Sequence, residues 1–225
     1  MLNPIPFHPR AAPGWPQFSG LVAFYFPGHL EPWDSHCGAS FLGNFYPSAV
    51  HLGGHTFQTA EAAFQALKFW GHVREFEKCA TGNDAFLLKD ELEKVGQADH
   101  KYHGLGNNWN AMLAVLHEKF KPGTSRATAL LQTGTAFLLE HNSVVGRDEY
   151  WSDDGMGTGR NWLGLQLMIL REELSGARGA LCHLHQLVDQ GALIDNLSLA
   201  PGPLVACSYL FLLFTCARVG EVNQA

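Results

Sequence analysis

The chain has 225 residues, 46% of them apolar and 16% charged, and carries a formal net charge of -6. That balance describes a globular chain able to bury a substantial core and excludes a disordered one. An acidic chain is also a poor match for an extended nucleic-acid surface, although a local basic pocket for one phosphate remains compatible with it.

Residues 1–20 hold many of the prolines and read as an irregular leader; those prolines interrupt the apolar stretch that a secretory signal needs. Leu21–Phe26 is a β-favouring apolar run and predicts a first strand, followed by a turn-rich stretch from Pro27 to Gly43. Phe45–Phe57 predicts a hairpin around Gly53-Gly54. A helix is expected from Thr59, a suitable N-cap, with Glu61 in its first turn and Ala60, Phe64 and Leu67 facing the core. Further helices are predicted at Asp84–Val95, at Trp109–Phe120 and at Ser125–Leu139. The second of these carries the stripe Met112, Leu113, Leu116 and Phe120 and stops at Pro122-Gly123. A polar, glycine-bearing segment spans Asn142–Arg160, and the last clear helix covers Trp162–Leu174 with Leu163, Leu167 and Leu170 on one face. Beyond it, residues 176–225 change character and end in an apolar run, Leu204–Ala217, whose 14 residues fall short of the ~20 a membrane span needs. Five helices against two or three short strands predict a mainly helical α+β fold, with a domain at 21–175 and a C-terminal extension at 176–225. Cys37, Cys79, Cys182, Cys207 and Cys216 are odd in number, widely spaced and lack a CxxC, which points to reduced thiols and a cytoplasmic or nuclear compartment.

Two segments carry residues suited to chemistry. On the helix from Thr59, Glu61, Gln65 and Lys68 share a face apart from Phe64 and Leu67. The face is either an exposed polar stripe or the wall of a polar site. The segment from Asp148 to Asn161 gathers acidic residues, Tyr150, Trp151, Gly155, Gly157, Gly159 and Arg160 ahead of a helix. Its glycines allow close backbone approach, the helix N-terminus and Arg160 favour an anion, and the competing reading is a solvated surface loop. Trp109, at a helix start, is either core or a ring that stacks on a base. His100 with His103, and His183 with His185, lack the partners of a metal site, and no serine-hydrolase elbow or P-loop occurs.

In this order the segments resemble the YbiA-like, or NADAR, family. The matching pieces are Leu42-Gly43-Asn44-Phe45-Tyr46-Pro47, the helix Phe57–Phe69, Asn108-Trp109 with Met112 and Lys119-Phe120, Leu139-Glu140, Asp148-x-Tyr150-Trp151, and Gly159-x-Asn161 through Leu174. Together they cover residues 22–174. The chain departs from the family pattern at Gln58 (a proline there), Ala62 (a histidine) and Ser152 (a glycine).

The resemblance implies a YbiA-like single domain that acts as an N-glycosidase without metal or organic cofactor. Its substrates would be small: a ribosylamino-pyrimidine phosphate of riboflavin synthesis, or an ADP-ribosylated guanine. Breaking a C1'–N bond builds positive charge on the sugar, so the reaction calls for carboxylates near C1' and a proton for the departing nitrogen. Glu61 is carried over as the principal catalytic carboxylate and Asp148 as the second acid. Trp109 is assigned to stacking on the leaving base and Trp151 to closing the pocket. Asn44, Gln65 and Asn161 are candidates for hydrogen bonds to ribose or phosphate. Lys68 and Arg160 are candidates for phosphate charge, and a Schiff base at the Lys68 amine is the competing role for that residue. The Ala62 and Ser152 departures keep open an ADP-ribose or NAD-metabolite binding module that lacks turnover.

Overall fold

The computed structural model describes residues 21–24 and 38–176. The leader, Cys37, the paired histidines His183 and His185, the apolar run Leu204–Ala217 and nearly all of the C-terminal extension lie outside the described residues. The elements in chain order are β1 (Leu21–Phe24), β2 (Pro47–Leu52), β3 (His55–Thr59), α1 (Ala60–Lys68), α2 (Val73–Phe76), α3 (Gly82–Lys94), α4 (Asn108–Lys119), α5 (Ser125–Gln132), β4 (Phe137–Glu140) and α6 (Trp162–Ser175). The architecture is mixed α+β with a few short strands, as expected. The chain divides into two compact units, one running to Ala136 and the other starting at Phe137.

In the first unit, β2 and β3 form the expected antiparallel hairpin, with Pro47 opposite Thr59 and Leu52 opposite His55 and a register irregularity between Pro47 and Val50. Its turn, Gly53-Gly54, lies against Trp70: a Cβ on Gly53 would come within 2.6 Å of that indole. The hairpin hands directly into α1. Thr59 ends β3 and caps the helix, its hydroxyl accepting from the Ala62 N–H at 3.1 Å.

Eight of the nine residues of α1, Ala60–Leu67, are buried, and the helix packs against the hairpin, α3 and α4. Three further helices start on side-chain caps: Thr81 and Asp84 close a capping box on α3, Asn107 caps α4 and Thr124 caps α5. The α3 helix therefore begins at Gly82, two residues ahead of the expected Asp84. Along α4 the predicted stripe Met112, Leu113, Leu116 and Phe120 is buried.

The helix predicted over Ser125–Leu139 is two elements. It ends at Gln132, and Phe137–Glu140 is a strand. Thr133 turns its hydroxyl back onto the Leu130 carbonyl at 2.7 Å, and Gly134 takes a φ of 59°, which breaks the helical path. The apolar run that follows is thereby released into extended backbone.

In the second unit, β4 and α6 pack together. All ten residues from Trp162 to Arg171 are buried, so α6 is enclosed, whereas the sequence reading placed only one face in the core. Gly176, at φ 70°, closes its C-terminus by donating to the Glu173 carbonyl at 3.1 Å. Among the described residues no helix is long and apolar enough to cross a membrane. Cys79 is a buried free thiol, and burial pushes its pKa up.

Candidate active site

The first unit holds Glu61, Gln65, Lys68, Asn44 and Trp109. Glu61 and Gln65 are 6% and 5% exposed, which removes the exposed-stripe reading of that face. A carboxylate withdrawn from water needs polar partners, and the fold supplies them. Gln65, one turn on, donates Nε2 to Glu61 Oε1 at 2.7 Å. The Glu61 N–H donates to the Asn44 carbonyl at 3.0 Å, which ties the Gly43–Tyr46 turn to the first turn of α1.

Asn44 is itself 8% exposed and donates Nδ2 to the Met112 sulfur at 3.4 Å. Asn44 Oδ1 and Gln65 Oε1 are buried acceptors without a hydrogen-bond donor among the described residues. Both are therefore matched to a donor such as a hydroxyl, and neither is matched to a phosphate oxygen. Lys68 is half-buried. Burial lowers its amine pKa, opposed by Glu93, whose Oε1 lies 3.7 Å from Nζ, and by Glu61. Its ammonium also sits 5.4 Å from the Phe64 ring centroid. Trp109 is 1% exposed and belongs to the core of this unit.

The second unit holds Asp148, Trp151, Arg160 and Asn161. Asp148 Oδ1 accepts from the N–H groups of Tyr150 (3.2 Å) and Trp151 (2.9 Å). Burial raises its pKa above the ordinary aspartate value, partly offset by those two bonds. Half-buried Trp151 meets Trp162 edge to face at 5.7 Å. Arg160 lies over the Tyr150 ring at 4.5 Å and 3.7 Å from Glu149 Oε1.

Asn161 adopts a left-handed conformation. Its amide bridges to β4, donating Nδ2 to the Leu138 carbonyl at 2.8 Å and accepting the Glu140 N–H at 2.9 Å. The side chain expected to hold ribose or phosphate thus fastens the loop to the strand.

Two expectations for this loop change. The α6 N-terminus does not offer a row of open N–H groups to an anion, because the Trp162 and Leu163 N–H groups donate to the carbonyls of Tyr150 (3.0 Å) and Trp151 (3.3 Å). Nor do Gly155 and Gly159 make way for a ligand, whereas the space beside Gly157 is open. A Cβ on Gly155 would lie 2.5 Å from the Asn142 carbonyl oxygen, and one on Gly159 would lie 2.1 Å from that of Ser152. The backbone they admit is the loop's own. At its centre is Asp153, 6% exposed, which accepts from Asn142 and Gly155 N–H groups and meets His141 Nδ1 at 2.7 Å. Among the described residues no group of three or more His, Cys, Asp or Glu is placed to hold a metal ion.

Sequence reasoning missed Lys119. It is fully buried, and its ammonium donates to the carbonyls of Leu42 (3.2 Å) and Gly43 (2.7 Å), immediately before Asn44. The signal was a lysine at a position where the helix's apolar periodicity leads into Phe120.

The arrangement has relatives. A riboflavin biosynthesis protein of Vibrio vulnificus (strain YJ016) is 36% identical over 166 residues, covering 72% of this chain. This chain spans less than half of that protein, 42% of its length. The N-glycosidase YbiA of Escherichia coli (strain K12) is 32% identical over 141 residues, covering 60% of this chain and 81% of that protein. The NMR structure of E. coli YbiA matches with a TM-score of 0.54 at 26% identity, covering 69% of this chain and 86% of the other. Residues 32–175 match the NADAR domain, and the chain belongs to the NADAR family.

Proposed function

We propose that the chain is a hydrolase of N-glycosidic bonds acting on a small ribosylated base. Its substrate is either a ribosylamino-pyrimidine phosphate or an ADP-ribosylated guanine. The observation that carries this reading is Glu61: an enclosed carboxylate on a core helix, oriented by Gln65, beside two buried acceptors that lack a donor among the described residues. Relatives that are an N-glycosidase and a riboflavin biosynthesis protein support the reaction class and a link to riboflavin synthesis.

In the proposed reaction the C1'–N bond breaks with its electron pair leaving on the nitrogen, and water adds to C1'. Glu61 faces the positive charge that develops on the sugar and takes the proton released by the water. The departing nitrogen receives a proton from an acid. Asp148 is the candidate by the family resemblance, and burial raises its pKa above the ordinary aspartate value. Asn44 and Gln65 accept from ribose hydroxyls. Lys68 and Arg160 remain the phosphate candidates, each sharing its charge with a carboxylate at 3.7 Å. Trp151 lines the loop. Asn161 acts by holding that loop on β4, and Trp109 by backing the site from the core.

Ala62 favours a second reading. It stands where the family pattern has a histidine and is fully buried, so no proton carrier occupies that position beside Glu61. A module that binds ADP-ribose without cleaving it would tolerate the change. Incubation with each substrate, with free base followed by mass spectrometry, separates the two. Base release by the wild type and a kcat lowered on the order of 10²-fold or more in Glu61→Gln support the hydrolase. Tight ADP-ribose binding by calorimetry without release supports the binding module, and a near-normal kcat for Glu61→Gln removes Glu61 from the catalytic role.

A further inference from the structure

The proposed reaction needs a flat apolar face for the base, and Trp109, at 1% exposure, does not present one. The segment Asp99–Gly106 carries another ring. Tyr102 and His103 are consecutive non-glycine residues at φ 50° and 53°. Side chains rarely adopt this left-handed conformation, and it persists where the surroundings over-determine it, often at ligand sites.

The bracing is explicit. The Asp99 carboxylate accepts from the N–H groups of Lys101 (2.7 Å) and His103 (2.9 Å), and the Asp99 N–H donates to the Lys68 carbonyl at 2.8 Å. The loop is therefore fastened to the C-terminal end of α1, the helix that carries Glu61 and Gln65.

Held in this way, Tyr102 lies on Phe64 with ring centroids 5.6 Å apart and planes 27° from parallel. Its neighbour His103 stacks on Trp70 at 4.3 Å and 15°. Phe64 follows Glu61 by three residues and precedes Lys68 by four, so it is adjacent to both on the helix surface. Phe64 is 4% exposed and Tyr102 is half-buried, so Tyr102 is the outward ring of the stack.

We propose that Tyr102 is a base-binding residue, its outer face receiving the planar heterocycle that leaves when the N-glycosidic bond breaks. The backbone strain at Tyr102 and His103 is then the means of presenting this face next to the helix that carries Glu61. Burial and the nearby Glu93 carboxylate keep the phenol protonated, so its hydroxyl can donate to a ring nitrogen or carbonyl of the base. The identity of the ligand rests on the N-glycosidase reading, whereas the stacking face does not.

The test uses the full chain with Tyr102→Leu, which meets the same left-handed backbone without a ring, and Tyr102→Phe, which keeps the ring. For base release from either substrate, Tyr102→Leu is expected to raise KM about 10-fold or more with kcat little changed, and Tyr102→Phe to stay much closer to wild type. Inhibition by the free base should weaken by a similar factor in Tyr102→Leu, while inhibition by ribose 5-phosphate holds. An unchanged KM, or equal weakening of both inhibitors, would overturn the assignment. If the wild type releases no base, the N-glycosidase reading falls by itself, and calorimetry with guanosine monophosphate and ribose 5-phosphate decides the stacking face. Preferential binding of the nucleotide, lost in Tyr102→Leu and kept in Tyr102→Phe, supports it; equal binding of the two, or none, overturns it.

Discussion

Lys119 shows how one buried charge can set a loop. Its ammonium is withdrawn from water and donates to two successive carbonyls, Leu42 and Gly43, at 3.2 and 2.7 Å. Replacing it with methionine removes a charged donor, which destabilises, and also removes the desolvation of the charge, which stabilises. The Gly43 carbonyl keeps the Tyr46 N–H at 3.2 Å, so only part of the satisfaction is lost. Lys119→Met is expected to lower stability by about 1–3 kcal/mol, measured from the urea midpoint, and to raise KM because the Asn44 turn loses its anchor. Asp148 makes a pH prediction. Its folded-state pKa is raised chiefly by burial, so the stability it contributes is full below 3.8, the ordinary value, and is lost as pH rises through the folded value. Asp148→Asn should remove that loss while keeping an oxygen to cap Tyr150 and Trp151, so its stability relative to wild type should be better at pH 7 than at pH 3, as followed by thermal melts. If Asp148 donates the proton in catalysis, the alkaline limb of kcat in the wild type should also disappear in this variant.

At the scale of elements, the contact between α6 and β4 leaves no room for a side chain. A Cβ on Gly164 would lie 2.1 Å from the Leu138 carbonyl oxygen and 2.5 Å from Asn161 Oδ1. Both of those atoms are backbone or rigidly bonded, so neither can swing away. Gly164→Ala should therefore push α6 off β4 and break the Asn161 bridge, destabilising by about 1–3 kcal/mol or more. Circular dichroism melts would show it, and an unchanged Tm would mean the helix can slide. Which elements exist was largely legible in the sequence where local rules act. The Thr59 cap, the Gly53-Gly54 turn and the α4 stripe all follow from spacing and turn chemistry. The Ser125–Leu139 helix was overextended because Leu130, Leu131, Leu138 and Leu139 suit a helix as well as a strand, and the break depends on the φ of Gly134. The loop chemistry was misread for a related reason. Glycines that admit a ligand and glycines that admit the loop's own carbonyls look alike in sequence, and only the packing against Ser152 and Asn142 tells them apart.

For the whole molecule, candidate residues were more legible than their environment. Glu61 and Gln65 were visible as a shared helix face, but their enclosure was not, because burial of a polar face depends on what α3, α4 and the hairpin lay against it. Lys119 was invisible in its role, since its partners lie 76 and 77 residues away. The extent of the working domain can be argued from two independent boundaries. The NADAR match ends at residue 175. The α6 helix ends at Ser175, where Gly176 adopts φ 70° and returns its N–H to Glu173, a C-terminal closure complete within the helix and its cap. Every residue assigned to the proposed reaction, from Asn44 to Asn161, precedes that point. A chain cut after Gly176 should therefore keep kcat/KM for base release close to that of the full chain, a difference of about 0.5 kcal/mol or less. Parallel assays of the two chains at matched concentration, with melts to confirm that the shorter one folds, decide it. If the shorter chain folds and loses turnover, the C-terminal extension supplies something to the reaction, and the site is larger than the family match.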